Sequence, residues 1–208
     1  MEILPLMLAS LVGFTHAFEA DHLVALSSIV TRRNNTFLAV KDGIFWGLGH
    51  TSTILLVGCI FILGTCSMNF ASFKYLEGCV GIMLIFLGFR RLYEITKTEL
   101  KPTQEHHSAH AHEHKLAYRV GLLHGLAGSG TLILSVLTTL KSPFSGMAYL
   151  LIFGIGSIAG MMVAAGIFSI PFSEKLLKKK SLRLALVLLS SLLCIALGCK
   201  IVYQNFIH

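Results

Sequence analysis

His16-Ala17-Phe18-Glu19-Ala20-Asp21-His22 lies inside residues 3–30, an otherwise apolar stretch of membrane-spanning length. Two imidazoles and two carboxylates in seven residues are costly to bury in lipid. One ionised Asp at a helix centre costs about 2.5–3.5 kcal/mol on insertion scales. A chain carrying that cost needs those groups to face a cavity. His, Asp and Glu together are ligands for a divalent ion, and imidazole suits nickel, zinc, copper or iron. The stretch points to a membrane protein that handles a transition metal.

The composition around it agrees. Of 208 residues, 54% are hydrophobic and 13% charged, against roughly 25% charged in a typical soluble domain. The mean hydropathy is +0.75. Apolar stretches near the ~20 residues needed to span a bilayer fall at 3–30, 43–65, 75–93, 117–140, 147–172 and 182–203. They predict an all-α integral membrane protein of six transmembrane helices, the first open to a break at the polar cluster. The N-terminus does not read as a cleavable signal peptide, because Glu2 stands where a basic n-region belongs and the stretch runs on into Glu19, Asp21 and His22. The five cysteines, Cys59, Cys66, Cys79, Cys194 and Cys199, lie in or beside apolar stretches without a CxxC, and read as small packing residues.

The net charge of +7 does not indicate nucleic acid, because the basic residues are sorted by side. Arg32, Arg33 and Lys41 lie between the first two helices. Arg90, Arg91, Lys97, Lys101, Lys115 and Arg119 flank the third connection, and Lys175, Lys178, Lys179, Lys180 and Arg183 the fifth. The other side has only Lys74, Lys141 and Lys200. The positive-inside rule then places loops 31–42, 95–116 and 173–182 in the cytoplasm and both termini outside. The expected location is a bacterial cytoplasmic membrane.

The two halves of the chain align. Gly13-Phe14-Thr15-His16 matches Gly121-Leu122-Leu123-His124, and Trp46-Gly47-Leu48-Gly49-His50 matches Phe153-Gly154-Ile155-Gly156-Ser157. Leu87-Gly88 ahead of Tyr93 matches Leu197-Gly198 ahead of Tyr203. With an odd number of spans per half, the copies sit in opposite orientations, a 3+3 inverted repeat of the secondary-transporter kind. The expected organisation is one transport domain: a first repeat at 1–94, a His-rich loop at 95–116 and a second repeat at 117–208.

The halves differ in their polar groups. Glu19, Asp21 and His22 become Ala127, Ser129 and Gly130, and His50 becomes Ser157. The first half holds the ligands, and the second offers His124 and Ser129 as a further site. The stretch from His124 to Gly130 suits either close helix packing through small residues or unwinding beside a cavity. On a regular helix His16, Glu19 and His22 are neighbours at i, i+3, while Asp21 points about 140° away from His16. Either the helix distorts near residues 18–21 or only a subset coordinates. His50 lies eight residues into the second helix, about 11 Å deep. A single intramembrane His is as often a structural hydrogen-bonding group as a ligand, whereas His16, Asp21, His22 and His50 together weigh towards coordination.

His16-x4-Asp21-His22, followed by Leu23, resembles the H-x4-D-H signature of the nickel/cobalt transporter (NiCoT) family. Gly47-Leu48-Gly49-His50-Thr51-Ser52-Thr53 resembles that family's second motif, on the next helix. The later acidic-Thr motifs of longer members are absent. In size and in its His-Gly-Leu-Ala-Gly-Ser run, the chain is more similar to the short urease-accessory-type nickel permeases. The resemblance implies His16, Asp21, His22 and His50 as metal-selecting residues, with Glu19 beside them.

Glu105 to His114 carries His106, His107, His110, His112 and His114 with two Glu in ten residues, an accessory metal-binding composition. The function expected is a secondary permease for Ni²⁺ or Co²⁺, in the uptake direction, with no tightly bound cofactor and no enzymatic activity. Its expected partners are the ion, the bilayer and cytosolic metallochaperones or urease and hydrogenase maturation proteins. Alternatives are efflux of the same ions, a thiol-electron conduit, and a metal sensor that moves nothing.

Overall fold

The computed structural model describes residues 3–30, 33, 35–62, 70–98, 109–127, 142–170 and 180–207. Among them the chain is helical throughout: α1 (Ile3–His16), α2 (Ala20–Val30), α3 (Thr36–Ile62), α4 (Phe70–Thr98), α5 (Ala109–Ala127), α6 (Pro143–Ser169) and α7 (Lys180–Val202), which ends in a π turn at Tyr203–Ile207. Seven helices thus stand where six spans were expected. The first apolar stretch is two helices, and the fourth is described only as far as Ala127. Thr36–Ile62, Pro143–Ser169 and Leu184–Phe206 are long and apolar enough to cross a membrane, and Met7–His16 and Ala20–Val30 are shorter apolar helices.

Three of the expected loops are shorter than the charge pattern suggested. Helix α3 begins at Thr36, so Lys41 and Asp42 belong to it. Helix α7 begins at Lys180. Helix α5 begins at Ala109, so His110, His112 and His114 are helical and not part of a loop. His106 and His107 lie outside the described residues. Ala and Leu are strong helix formers, and the apolar stretch at 117 recruits the preceding turns into one continuous helix.

Large apolar side chains face outward on several helices, among them Leu11, Phe86, Ile155 and Leu192, while His22, His50, His124 and Ser157 are buried. That distribution suits a lipid surround, and the chain is an integral membrane protein.

Close packing is made by small residues. A Cβ at Gly13 would overlap the backbone of Phe153, and one at Gly156 the backbone of Ser10, so α1 and α6 touch main chain to main chain. Adding 107–108 residues to one partner and subtracting them from the other gives the same contacts between α5 and α3: Gly121 on Trp46, and Gly49 on Tyr118. Helices α4 and α7 meet likewise at Gly81 with Gly198 and at Gly88 with Ser191. The sequence offsets therefore recur as spatial contacts. Gly125 approaches the carbonyl of His50 closely enough that any side chain there would overlap it. Of the two sequence readings of residues 124–127, close packing is the observed one. Residues 128–130, Ser129 included, lie outside the described residues.

Candidate metal centre

The apolar first stretch breaks where its polar residues begin. Thr15 turns its hydroxyl back to the carbonyls of Leu11 and Val12 at 3.0 and 3.1 Å, a pattern that bends helices. The next amides tighten to i−3 partners: Phe18 N–H donates to Thr15 at 2.9 Å and Glu19 N–H to His16 at 3.0 Å. Helix α2 then starts at Ala20 with Asp21 in its first turn, where the helix dipole favours a carboxylate. The distortion expected between residues 18 and 21 is thus centred on residues 17–19. It aims His16, Asp21 and His22 inward from two helix ends.

His22, His50 and His124 are buried, and His16 nearly so. Ring centroids of His16 and His22 lie 4.6 Å apart, His16 and His50 5.3 Å, His22 and His50 5.2 Å, and His22 and His124 4.2 Å. Trp46 stacks on His22 at 6.2 Å, and Phe153 stands 5.4 Å from His16. These two rings, equivalent under the repeat, wall the centre with apolar surface.

The carboxylates set the tautomers. A carboxylate only accepts, so each ring nitrogen facing one carries its proton. His16 donates from Nδ1 to Glu19 Oε1 at 2.8 Å, and its Nε2 is buried with no hydrogen-bond partner. His22 donates from Nδ1 to Asp21 Oδ1 at 3.2 Å, and its Nε2 is likewise without a partner. His124 donates from Nε2 to Asp21 Oδ2 at 2.9 Å, leaving Nδ1 unpartnered. Buried polar atoms are usually satisfied. Three lone pairs, on His16 Nε2, His22 Nε2 and His124 Nδ1, are thus open to a metal ion.

Among the described residues, His16, His22 and His50 each place a ligand atom within 4.8 Å of the others, and so do Asp21, His22 and His124. The sequence-predicted His16, Asp21, His22 and His50 are therefore gathered at one centre. Glu19 is not in either trio. Its side chain is 56% exposed and accepts the hydrogen bond from His16 at 2.8 Å. His124, expected with Ser129 as a further site in the second half, is joined to Asp21 directly.

The family described as cytochrome C biogenesis protein transmembrane region matches residues 8–199. The chain belongs to that family. It is broader than the nickel/cobalt transporter family whose motifs the sequence resembles. This member of the cytochrome C biogenesis transmembrane family is also 33% identical over 181 residues to the urease accessory protein UreH of Bacillus sp. (strain TB-90), covering 81% of this chain and 77% of that one. It is 26% identical to the chloroplast protein FOR GROWTH AND FERTILITY 1 of Arabidopsis thaliana, over 94% of this chain and 58% of the relative. For FOR GROWTH AND FERTILITY 2 of the same plant the figures are 25%, 89% and 52%. The chain thus spans a little over half the length of the two plant relatives. No solved structure matches it.

The family description brings thiol chemistry into question. In this member of the cytochrome C biogenesis transmembrane family, α1, α2 and α5 hold no cysteine. Cys59, Cys79, Cys194 and Cys199 are free, and Cys66 lies outside the described residues.

A second buried ionic cluster was not foreseen. Asp42, wholly buried in α3, accepts two hydrogen bonds from Arg33, Nε to Oδ2 at 2.6 Å and a terminal guanidinium nitrogen to Oδ1 at 2.9 Å. His114 donates from Nδ1 to Asp42 Oδ1 at 2.6 Å, and Phe45 stacks on its ring at 5.1 Å. His114, expected to be an accessory metal ligand, is hydrogen-bonded to Asp42 and so joins α5 to α3. The available signal was Asp42 itself, a lone acid among Arg32, Arg33 and Lys41.

Proposed function

We propose that the chain is a secondary permease for a divalent transition-metal ion, Ni²⁺ first and Co²⁺ next, in the uptake direction. The observation that carries this reading is the buried centre of four imidazoles and one carboxylate, with lone pairs on His16 and His22 that no protein group satisfies. Imidazole-rich sites of this kind suit nickel among the first-row ions. The likeness to a urease accessory protein agrees with the short nickel permeases that the motifs resemble. His16, Asp21, His22, His50 and His124 replace part of the ion's hydration shell. The ion is cargo, and no resident cofactor is invoked.

In the same reading the chain is a six-span 3+3 inverted repeat, with loops one, three and five in the cytoplasm. The duplicated contacts of α1 with α6 and α5 with α3 support it. The centre lies at the meeting of the halves, where rocking of one repeat on the other would expose it to alternate sides. Cytosolic metallochaperones or urease maturation proteins are the proposed recipients. Cellular nickel accumulation with and without the chain tests the proposal. Raised accumulation is expected, lowered accumulation means efflux, and no change removes the permease reading.

The cytochrome C biogenesis description favours a thiol-electron conduit as the second reading. That chemistry needs a cysteine in each of two symmetry-related helices, and α1 and its counterpart α5 have none. Replacing all five cysteines by Ala or Ser is expected to leave nickel accumulation intact.

Acidification is expected to suppress initial uptake. Ligating imidazoles must be neutral, so protons compete with the ion for the lone pairs as the pH falls. Vesicle uptake with the driving gradient clamped measures this, and uptake that rises as the pH falls would argue against histidine ligands.

Changing His106, His107, His110 and His112 together to Ser is expected to alter apparent affinity while leaving maximal flux within about threefold, since the proposed path runs through the buried centre and uses none of the four. His114 is kept because it holds Asp42. If this variant reaches the membrane and transports nothing, the segment belongs to the pathway.

A further inference from the structure

Two trios of ligands at one centre need not mean two ions. The trio His16, His22 and His50 comes wholly from α1, α2 and α3, while Asp21, His22 and His124 draws on α5 of the other half. Both use His22. Its Nδ1 lies on Asp21 at 3.2 Å and its Nε2 is buried without a partner. A neutral imidazole has one lone pair, so it ligates from one nitrogen at a time.

We propose, resting on the permease reading, that the centre is two mutually exclusive positions for one divalent ion, with His22 as the ligand common to both. In the first position the ion takes Nε2 of His16, Nε2 of His22 and His50. The tautomers in this structure are already those required, since Glu19 and Asp21 hold the protons on the two Nδ1 atoms. In the second position the ion takes a carboxylate oxygen of Asp21, Nδ1 of His22 and Nε2 of His124. It displaces the two hydrogen bonds that now close that trio. Each of the two rings then carries its single proton on its other nitrogen, so the proton count is unchanged.

The exchange has a structural consequence. The first position survives any displacement of α5, whereas the second is broken by it, because among the described residues only His124 ties the second half to the ion. Rocking of the halves is thereby coupled to which position is filled. His22 supplies an imidazole nitrogen in both positions, Nε2 in the first and Nδ1 in the second, and its ring proton changes nitrogen as the ion passes between them.

The test uses the full chain purified in detergent, with His106, His107, His110 and His112 changed to Ser to remove accessory binding, and Ni²⁺ as the probe. Calorimetry is expected to give one Ni²⁺ per chain, and two bound at the centre would overturn the proposal. This stoichiometry decides by itself even where a substitution at the centre prevents folding. His22→Ala is expected to lose more than about 100-fold in affinity, because it removes a ligand from both positions. His50→Gln and His124→Gln each leave one trio whole and are expected to stay within about tenfold, against the 10–100-fold that even an outer partner is worth at a single site. Nickel X-ray absorption should then report three imidazoles in His124→Gln and a mixed carboxylate–imidazole set in His50→Gln. The same spectrum in both, or affinity unaffected by His22→Ala, would overturn the proposal. Both Gln variants should fail to accumulate nickel in cells. Normal accumulation by His124→Gln would overturn the two-position centre and leave the permease standing. A wild-type chain with this binding pattern but no accumulation would support the two positions and remove the permease.

Discussion

Asp21→Ala is expected to abolish nickel accumulation, by at least about 100-fold, while membrane abundance stays within about twofold. Two effects add at this carboxylate. It supplies the only negative charge in either trio, and it orients both His22 and His124 through its two oxygens. Loss of an orienting partner alone costs about 10–100-fold at metal sites, and loss of the charge comes on top. The fold should tolerate the change, because the Asp21 side chain is 22% exposed and its removal strands no buried cation. Asp21→Glu keeps the charge but moves it by one methylene, and Asp21→Asn keeps the shape without the charge. Accumulation assays with immunoblots of the membrane fraction measure all three. Wild-type accumulation by Asp21→Ala would remove Asp21 from the pathway.

Asp42→Ala should instead act on the fold. Arg33 and Asp42 are both buried and joined by two short hydrogen bonds, so deleting the carboxylate takes both of those bonds from a buried guanidinium. Removing one partner of a buried pair costs about 3–5 kcal/mol, a large share of the roughly 5–15 kcal/mol that stabilises a typical fold. His114 loses its acceptor in the same step, and with it one polar tie between α5 and α3. Thermal unfolding in detergent should show a marked loss of stability with reduced membrane abundance. The double variant Arg33→Leu/Asp42→Leu should recover most of it, since replacing a whole buried pair by apolar groups is often neutral. A melting temperature unchanged in Asp42→Ala would show that the pair contributes nothing. The contrast between the two aspartates separates a carboxylate proposed to serve the cargo from one that serves the architecture.

Much of this was legible in the chain. The bilayer demands long apolar helices, and the cost of burying His16, Glu19, Asp21 and His22 in lipid made their stretch conspicuous before any fold was known. Asp21 and His16 cannot be aimed the same way on one straight helix, which left a distortion or a partial ligand set, and the chain breaks at residues 17–19. The near-constant offset between the halves anticipated that Gly13 on Phe153 would reappear as Gly121 on Trp46. Each of these is a local or periodic property, carried by spacing along the backbone.

What only tertiary structure decided are the long-range pairings. His124 meets Asp21 across 103 residues, and no spacing rule reaches that far. Glu19 reads as a ligand by its proximity to His16 and His22, yet its exposed side chain serves His16 from outside. His114 belongs by composition to a metal-binding run, but the start of α5 carries it to Asp42. Helix packing through glycine brings α5 and α3 into backbone contact, and that approach selects which polar groups of the two halves share the centre. Sequence could name the chemistry because ligand types are written in single residues. Their partners follow from how the helices pack.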